Sequence, residues 1–215
     1  MTGPIPSSDD LSLAGRLRAG DEAAFMILVK QLHPAMLRVA RMYVSTTAVA
    51  EEVVQDAWLG VLRGLDAFEG RSSLRTWIFR ILTNIAKTRG QREGRSLPFA
   101  SLAGDDLESP AVDPSRFDSA VGSFRGQWST LPDDWTGIPE DRLLAHETLD
   151  VIGEAIAGLP PMQAEVIRLR DARGWSSEEV RNALDLTETN QRVLLHRARA
   201  RVRDALERYF SSEAT

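Results

Sequence analysis

From about Asp9 to Arg92, apolar residues recur at three- and four-residue intervals, and no stretch alternates with period two between turn residues, so the front of the chain reads as all-α. The pattern predicts helices over about Asp9 to Ala19, Asp21 to Tyr43, Thr46 to Arg63 and Ser72 to Glu93, punctuated by Gly20, Gly64 and Gly70. Pro34 falls inside the second, where its ring and missing N–H should kink or split the helix. Between Gly94 and about Asp141 the periodicity gives way to prolines at 98, 110, 114, 132 and 139 and many aspartates, the signature of a linker. Its Phe117, Phe124, Trp128 and Trp135 leave two readings open, a plain tether or a segment that docks in part.

Helical pattern returns with Leu149, Ile152, Ile156 and Leu159, and Pro160-Pro161 opens a helix through Met162, Val166, Ile167 and Leu169. Ser176-Ser177-Glu178-Glu179 is a helix start, the serine placed to accept free amide hydrogens and the glutamates favoured by the helix dipole. That short helix ends near Leu184. After Asp185-Leu186-Thr187 a longer basic helix runs to about Arg208, which is the spacing of a helix-turn-helix. The expected organisation is therefore an all-α chain of two helical domains, residues 1–94 and 146–215, joined by a long acidic linker at 95–145.

Composition narrows the function. With 215 residues, 43% apolar and 27% charged, the chain can build folded domains. Its longest apolar run in the front half, Ala23 to Val29, falls far short of the roughly 20 residues a bilayer needs, so no membrane insertion is expected. Met1 to Asp10 lacks the pattern of a secretory signal, and a cytoplasmic location is the expectation. The absence of cysteine excludes a disulfide framework, a thiolate metal site and a cysteine nucleophile. His33, His146 and His196 lie far apart, so no metal is expected. The net charge of −5 conceals a front of +3 through Arg95, a middle of −7 from Ser96 to Glu147 and a back of −1. An acidic total thus says nothing against nucleic-acid binding.

On the last helix, Leu195, Ala198, Val202 and Leu206 share one arc and should pack inward. Arg192, His196, Arg199 and Arg203 form one basic stripe, and Arg197, Arg201 and Arg208 a second. Guanidinium rows of this kind suit phosphate oxygens, and those near the helix start can reach base edges in a major groove. The competing reading is a solvated helix whose arginines pair with Glu178, Glu179, Asp204 and Glu207. The helix-turn-helix spacing favours DNA.

The helix from Ser72 places Leu74, Ile78, Leu82 and Ile85 inward and Thr76, Arg80, Asn84, Lys87 and Gln91 on the opposite side, with Trp77 at the edge of that stripe. Cations, amides and an aromatic could hold unpaired bases. Taken alone, the stripe reads better as an ordinary polar face. The helix from Thr46 buries Ala50, Val54, Ala57 and Val61 and leaves Glu52, Gln55, Asp56, Leu59 and Arg63 outward. An exposed leucine among charges fits a protein-docking surface and fits chance equally. No glycine-rich phosphate loop, paired histidine ligands or nucleophile elbow is present, so the chain reads as a non-enzyme without a cofactor.

Two separated stretches then resemble one family. Ala48-Val49-Ala50-Glu51-Glu52-Val53-Val54-Gln55-Asp56-Ala57-Trp58, with Phe68 to Ile81 and Asn84, resembles region 2 of bacterial RNA polymerase sigma factors of the extracytoplasmic-function (ECF) group. Leu159 to Val166, Arg173 to Val180 and Leu195-His196-Arg197-Ala198-Arg199 resemble region 4 of the same group.

The resemblance implies that region 2 binds the β′ clamp helices of core RNA polymerase through Glu52, Gln55, Asp56 and Leu59. It further implies capture of the melted non-template strand of the minus-10 element by Phe68, Arg71, Ser72, Ser73, Thr76, Arg80, Asn84 and Lys87, an extruded base being held by stacking and hydrogen bonds. Region 4 would bind the β flap and read the minus-35 major groove with Asn190, Arg192, His196 and Arg197. The resemblance also implies promoter DNA as the nucleic-acid partner and an anti-sigma factor as the inhibitory one. The linker's negative charge would suit a path through the polymerase's RNA exit channel.

Three positions depart from the helix-turn-helix pattern. Arg181 stands where a small residue is usual, Asp185 where glycine is usual, and Gln191 where an apolar one is usual. Arg181 could snorkel past its neighbour, and aspartate tolerates a left-handed turn better than most residues. Gln191 is expected at a partly open edge or as a cause of helix tilt. Two other functions stay open on residues alone: a stand-alone dimeric DNA-binding regulator, which would select duplex DNA unaided, and an adaptor whose basic stripes pair with acidic proteins.

Overall fold

The computed structural model describes residues 8–94 and 146–213, and all regular structure among the described residues is helical. The segment read as the acidic linker, 95–145, lies outside the described residues. The N-terminal helices are α1 (Ser8–Arg18), α2 (Glu22–Arg41), α3 (Thr47–Gly64) and α4 (Leu74–Arg92), with a 3₁₀ turn, Leu65–Ala67, after α3. The later ones are α5 (His146–Ala157), α6 (Pro161–Ile167), α7 (Ser177–Leu184) and α8 (Glu188–Glu213), with a π-helical turn, Arg168–Ala172, after α6.

Helix starts follow the capping chemistry of their sequences. Asp21 accepts a hydrogen bond from the Ala24 amide at 2.9 Å, Thr46 from Val49 at 3.2 Å and Ser73 from Thr76 at 3.4 Å. Ser176 accepts from Glu179 at 3.1 Å while the Glu179 carboxylate accepts from the Ser176 amide at 2.8 Å, a complete capping box. Asp21 is gripped in addition by Arg16 at 2.9 Å, and the Ala24 amide and Arg16 together lower its carboxyl pKa.

Pro34 does not split α2, which runs unbroken from Glu22 to Arg41. Both Pro34 and Lys30, whose carbonyl loses its usual donor, are solvent-exposed, so water can satisfy the orphaned acceptor. Helix α2 ends two residues before the expected Tyr43, and α8 extends past Arg208 to Glu213.

The described residues divide into two compact units. The first joins α1 to α4 with residues 168–191, which include α7 and the first turn of α8. Its core is Leu28, Leu32, Met36 and Val39 of α2, Val53, Val54, Ala57 and Val61 of α3, and Leu74, Ile78, Phe79 and Leu82 of α4, all buried. Phe25 meets Trp58 edge-on at 5.5 Å between ring centres. Gly60 and Gly64 let α3 approach α4 closely, since a Cβ at Gly60 would stand 3.1 Å from Ile81 Cγ2 and one at Gly64 3.3 Å from the Trp77 ring. The second unit holds α5, α6 and α8 from Arg192 onward, with Leu159, Met162, Ala164, Val166, Leu194, Leu195, Ala198 and Leu206 buried. Within it Tyr209 donates to the Glu147 carboxylate at 3.2 Å. Residues 168–191, read from sequence as part of a C-terminal domain, thus group with the N-terminal helices.

Candidate nucleic-acid interface

The loop between the 3₁₀ turn and α4 is held from below by α1. The Arg18 guanidinium donates to the Leu65 carbonyl at 2.9 Å and to the Phe68 carbonyl at 2.6 Å, tying up acceptors a loop would otherwise leave to solvent. Gly70 takes a φ of +70°, a conformation open to glycine at little cost, and turns the chain toward Ser73. Arg71, outermost on this loop, pairs loosely with Glu69 at 3.1 Å.

Two residues expected at the surface of this site are not there. The Phe68 ring is buried and packs on Trp77 with ring centres 5.3 Å apart, because it covers the end of the α3–α4 core. Thr76 is 1% exposed, and its hydroxyl shares a hydrogen bond with Ser73 at 2.8 Å. The polar stripe on α4 is therefore not an open face along its length. Arg80 and Asn84 at its middle are exposed, whereas Thr76 and Lys87 lie beside α7 contacts.

Helix α7 lies against α4. Glu179 reaches across with both carboxylate oxygens: Arg75 donates from Nε at 2.9 Å and from Nη2 at 2.7 Å, and the Ser73 hydroxyl adds a third bond at 2.7 Å. Thr83 donates from Oγ1 to the Ala183 carbonyl at 2.8 Å, and Lys87 pairs with Asp185. Beneath these polar contacts Trp175 meets Phe79 edge-on at 5.1 Å, and the Arg75 guanidinium lies 4.9 Å over the Trp175 ring.

The π-helical turn preceding Trp175 is part of what aims that ring, the Trp175 amide donating back to the Leu169 carbonyl at 2.9 Å. Burial alone would raise the Glu179 pKa, but Arg75, Ser73 and the Ser176 amide outweigh it and hold the carboxyl at about 2. Burial, with the Asp185 charge adding to it, pushes the Tyr43 hydroxyl up to about 12.

The outer face of α3 carries Glu52, Gln55, Asp56 and Leu59, all exposed as expected, and Leu62 extends the apolar part of this face. Glu52 is tied to Arg89 of α4 at 2.8 Å. A concavity of about 250 Å³ runs between the two helices and is lined by Glu52, Asp56, Asn84, Thr88, Arg89 and Arg92. It brings the candidate protein-docking residues and the candidate base-binding Asn84 to one surface.

In the helix-turn-helix segment, Asp185 adopts the left-handed conformation with φ 54° and ψ 52°, as its place in the turn required. Arg181 stands 3.8 Å from Glu188. Gln191 is not at an open edge: it is 3% exposed, and its side-chain oxygen accepts from the Ser177 hydroxyl at 2.6 Å. A hydrogen-bonded glutamine thus fills a site where an apolar residue was the norm. Arg192, Val193, His196, Arg199 and Arg203 are exposed, Arg197 is half-buried, and Asn190 stands in the first turn, where the Thr187 hydroxyl accepts from its amide at 3.1 Å.

Sequence reasoning missed Arg75, Thr83 and the second role of Glu179. Glu179 was visible as a helix-start residue, but its partners lie 104 and 106 residues away, beyond the reach of any local pattern.

Comparison with known proteins converges on the same two stretches. Residues 28–96 match the family described as Sigma-70 region 2, and residues 149–202 match Sigma-70, region 4, together more than half of the chain. The ECF RNA polymerase sigma-E factor of Haemophilus influenzae is 27% identical over 92% of this chain and 95% of its own length. The sigma-E factor of Escherichia coli K12 is 29% identical over 88% of this chain and 90% of its own length.

Among solved structures, CnrH in complex with the cytosolic domain of CnrY aligns with a TM-score of 0.47 and 22% identity, over 92% of this chain and 97% of that one. The sigma factor RpoE of Bartonella quintana, in complex with the anti-sigma factor NepR, aligns with a TM-score of 0.46 and 23% identity, over 85% and 96%. The chain belongs to the ECF group of RNA polymerase sigma factors. It acts with RNA polymerase in promoter-directed initiation of transcription.

Proposed function

We propose that the chain divides this task among three surfaces. The outer face of α3, with Glu52, Gln55, Asp56 and Leu59, docks on the β′ clamp helices. The loop Phe68 to Ser73 and α4, through Arg71, Ser72, Ser73, Arg80, Asn84 and Lys87, capture the melted non-template strand of the minus-10 element, while the buried Thr76 braces Ser73 from within. Helix α8 enters the minus-35 major groove with Asn190, Arg192, His196 and Arg197, and the surrounding helices contact the β flap. The chain itself catalyses no bond chemistry and works in the cytoplasm, where the polymerase is. An anti-sigma factor holds it inactive, a partner carried over from the family resemblance.

The observation that carries this reading is the adjacency of the α3 and α4 faces along one groove, where Asp56 and Asn84 are lining neighbours. A subunit that must hold polymerase and a single strand at once needs those two surfaces side by side. Phe68 supports the loop from inside, so its contribution is to shape the base pocket with Trp77 rather than to stack on an open base.

The test is binding of the purified chain to core polymerase, followed by open-complex formation on a library of promoter fragments, with a Gln55→Ala/Asp56→Ala/Leu59→Ala variant beside it. Core binding and sequence-selective opening, the former abolished in the variant, are expected. Selection of duplex DNA without any affinity for polymerase would overturn the assignment in favour of a conventional regulator.

A further inference from the structure

The contact between α7 and α4 occupies groups that the strand-capture reading needs. Ser73 and Lys87 are engaged at it, and Arg75, the cation nearest the α4 N-terminus, gives both Nε and Nη2 to Glu179. The chemistry of that commitment resembles anion capture. A carboxylate takes a two-pronged guanidinium and an N-cap hydroxyl at a helix start, where the dipole favours negative charge. A phosphate oxygen pair would find the same donors. Asp185, six residues further on, supplies a second anion to Lys87.

We infer that α7 is an intramolecular occupant of the single-strand site on α4, its Glu179 and Asp185 carboxylates standing where backbone phosphates bind, so that the chain closes its own minus-10 surface until α7 is drawn away. The inference rests on the reading of α4 as the strand-capture helix.

Two properties make this contact a latch rather than a soft association. Its centre is dry, since the Glu179 side chain is 8% exposed and Trp175 2%. Three hydrogen bonds, from Arg75 Nε, Arg75 Nη2 and the Ser73 hydroxyl, converge on the one Glu179 carboxylate and break in the same movement, so partial opening is penalised and α7 leaves as a unit or stays. The Thr83 hydroxyl and the Phe79 ring stitch the interior of the same face. Core polymerase, by engaging residues on both sides of the contact, would supply the free energy of separation. Strand capture is then weakened in the free chain and fully available to the polymerase-bound one.

The experiment uses the full-length chain and a fluorescein-labelled pool of single-stranded 20-mers of random sequence. Because the protein has no cysteine, a Thr83→Cys/Ala183→Cys variant carries the only thiols and can be bridged by oxidation and released by reductant. Neither position belongs to the proposed binding machinery. Glu179→Gln/Asp185→Asn removes both carboxylate charges and retains a glutamine in the capping box.

The oxidised variant is expected to bind the pool about tenfold more weakly than its reduced form, and the double amide variant about tenfold more tightly than the native chain. Equal affinity of oxidised and reduced forms, with no gain from the amide variant, would overturn the latch. Binding to core polymerase is measured in parallel. If it persists while the single-strand affinities stay flat, the latch fails and the sigma assignment stands; if it is absent from every form, both fall.

Discussion

Replacing Glu179 by glutamine isolates one charge. Glutamine keeps the shape and can still close the capping box, so what disappears is the ionised carboxylate between Arg75, Ser73 and the Ser176 amide. The carboxyl pKa falls from 4.5 to about 2, a difference that corresponds to roughly 3 kcal/mol of stabilisation at neutral pH. The Arg75 side chain is 37% exposed, so solvent screens the outer part of the pair and the figure drops to about 2 kcal/mol.

The sign follows from linkage: a depressed carboxyl pKa contributes fully above the unfolded value of 4.5 and is lost as the pH falls toward 2. Roughly three quarters of the contribution should survive at pH 4 and less than half at pH 3. Amide hydrogen exchange of α7 reads this directly, as the protection of native chain against Glu179→Gln at each pH. Other carboxylates titrate in the same window, but they do so in both proteins and cancel in the difference. A gap of about 2 kcal/mol at pH 7 that closes by more than half at pH 3 is expected. A gap that stays constant from pH 7 to pH 3 would refute the assignment of a stabilising charge to Glu179.

Asp185→Gly should raise the thermal midpoint slightly, since relief of left-handed strain is worth about 1 kcal/mol and an exposed lysine pair contributes less; a drop in midpoint would show that the Lys87 pair dominates. Arg192→Ala/Arg197→Ala should weaken polymerase-dependent promoter binding. It should also reduce the slope of log affinity against log salt by about 1 for each phosphate deprived of its arginine, with an unchanged slope excluding both as phosphate ligands.

Much of the fold was legible because its signals are local. The caps at Asp21, Thr46, Ser73 and Ser176 each sit within three residues of their partners, and the helical period runs through α2 to α4 without competition. Of the two outcomes expected at Pro34, a kink or a split, the split does not occur, because its cost depends on whether the freed carbonyl faces water, which only the packed helix decides. Phe68 and Thr76 misled for a related reason. A helical wheel gives each residue a direction, but it does not know that the loop folds Phe68 back under Trp77 or that α7 covers the start of α4. Gln191 looked like a flaw in an apolar pattern until Ser177, fourteen residues earlier, supplied its partner. The exposed face of α3 and the outward basic stripe of α8 were readable because nothing among the described residues of their own units folds over them.

The Glu179 carboxylate caps its own helix and hydrogen-bonds the N-cap serine of α4, so two helix starts separated by about a hundred residues share one anion. That sharing constrains how such factors can be recombined. A chimera that grafts residues 146–215 onto another factor's front half transplants an acid whose base is left behind, and unless the recipient offers an arginine and a hydroxyl at the positions of Arg75 and Ser73, the graft carries a buried charge with no counterpart. Regions 2 and 4 are therefore not fully modular, and residues 73, 75 and 179 form a unit of inheritance that crosses the boundary between them.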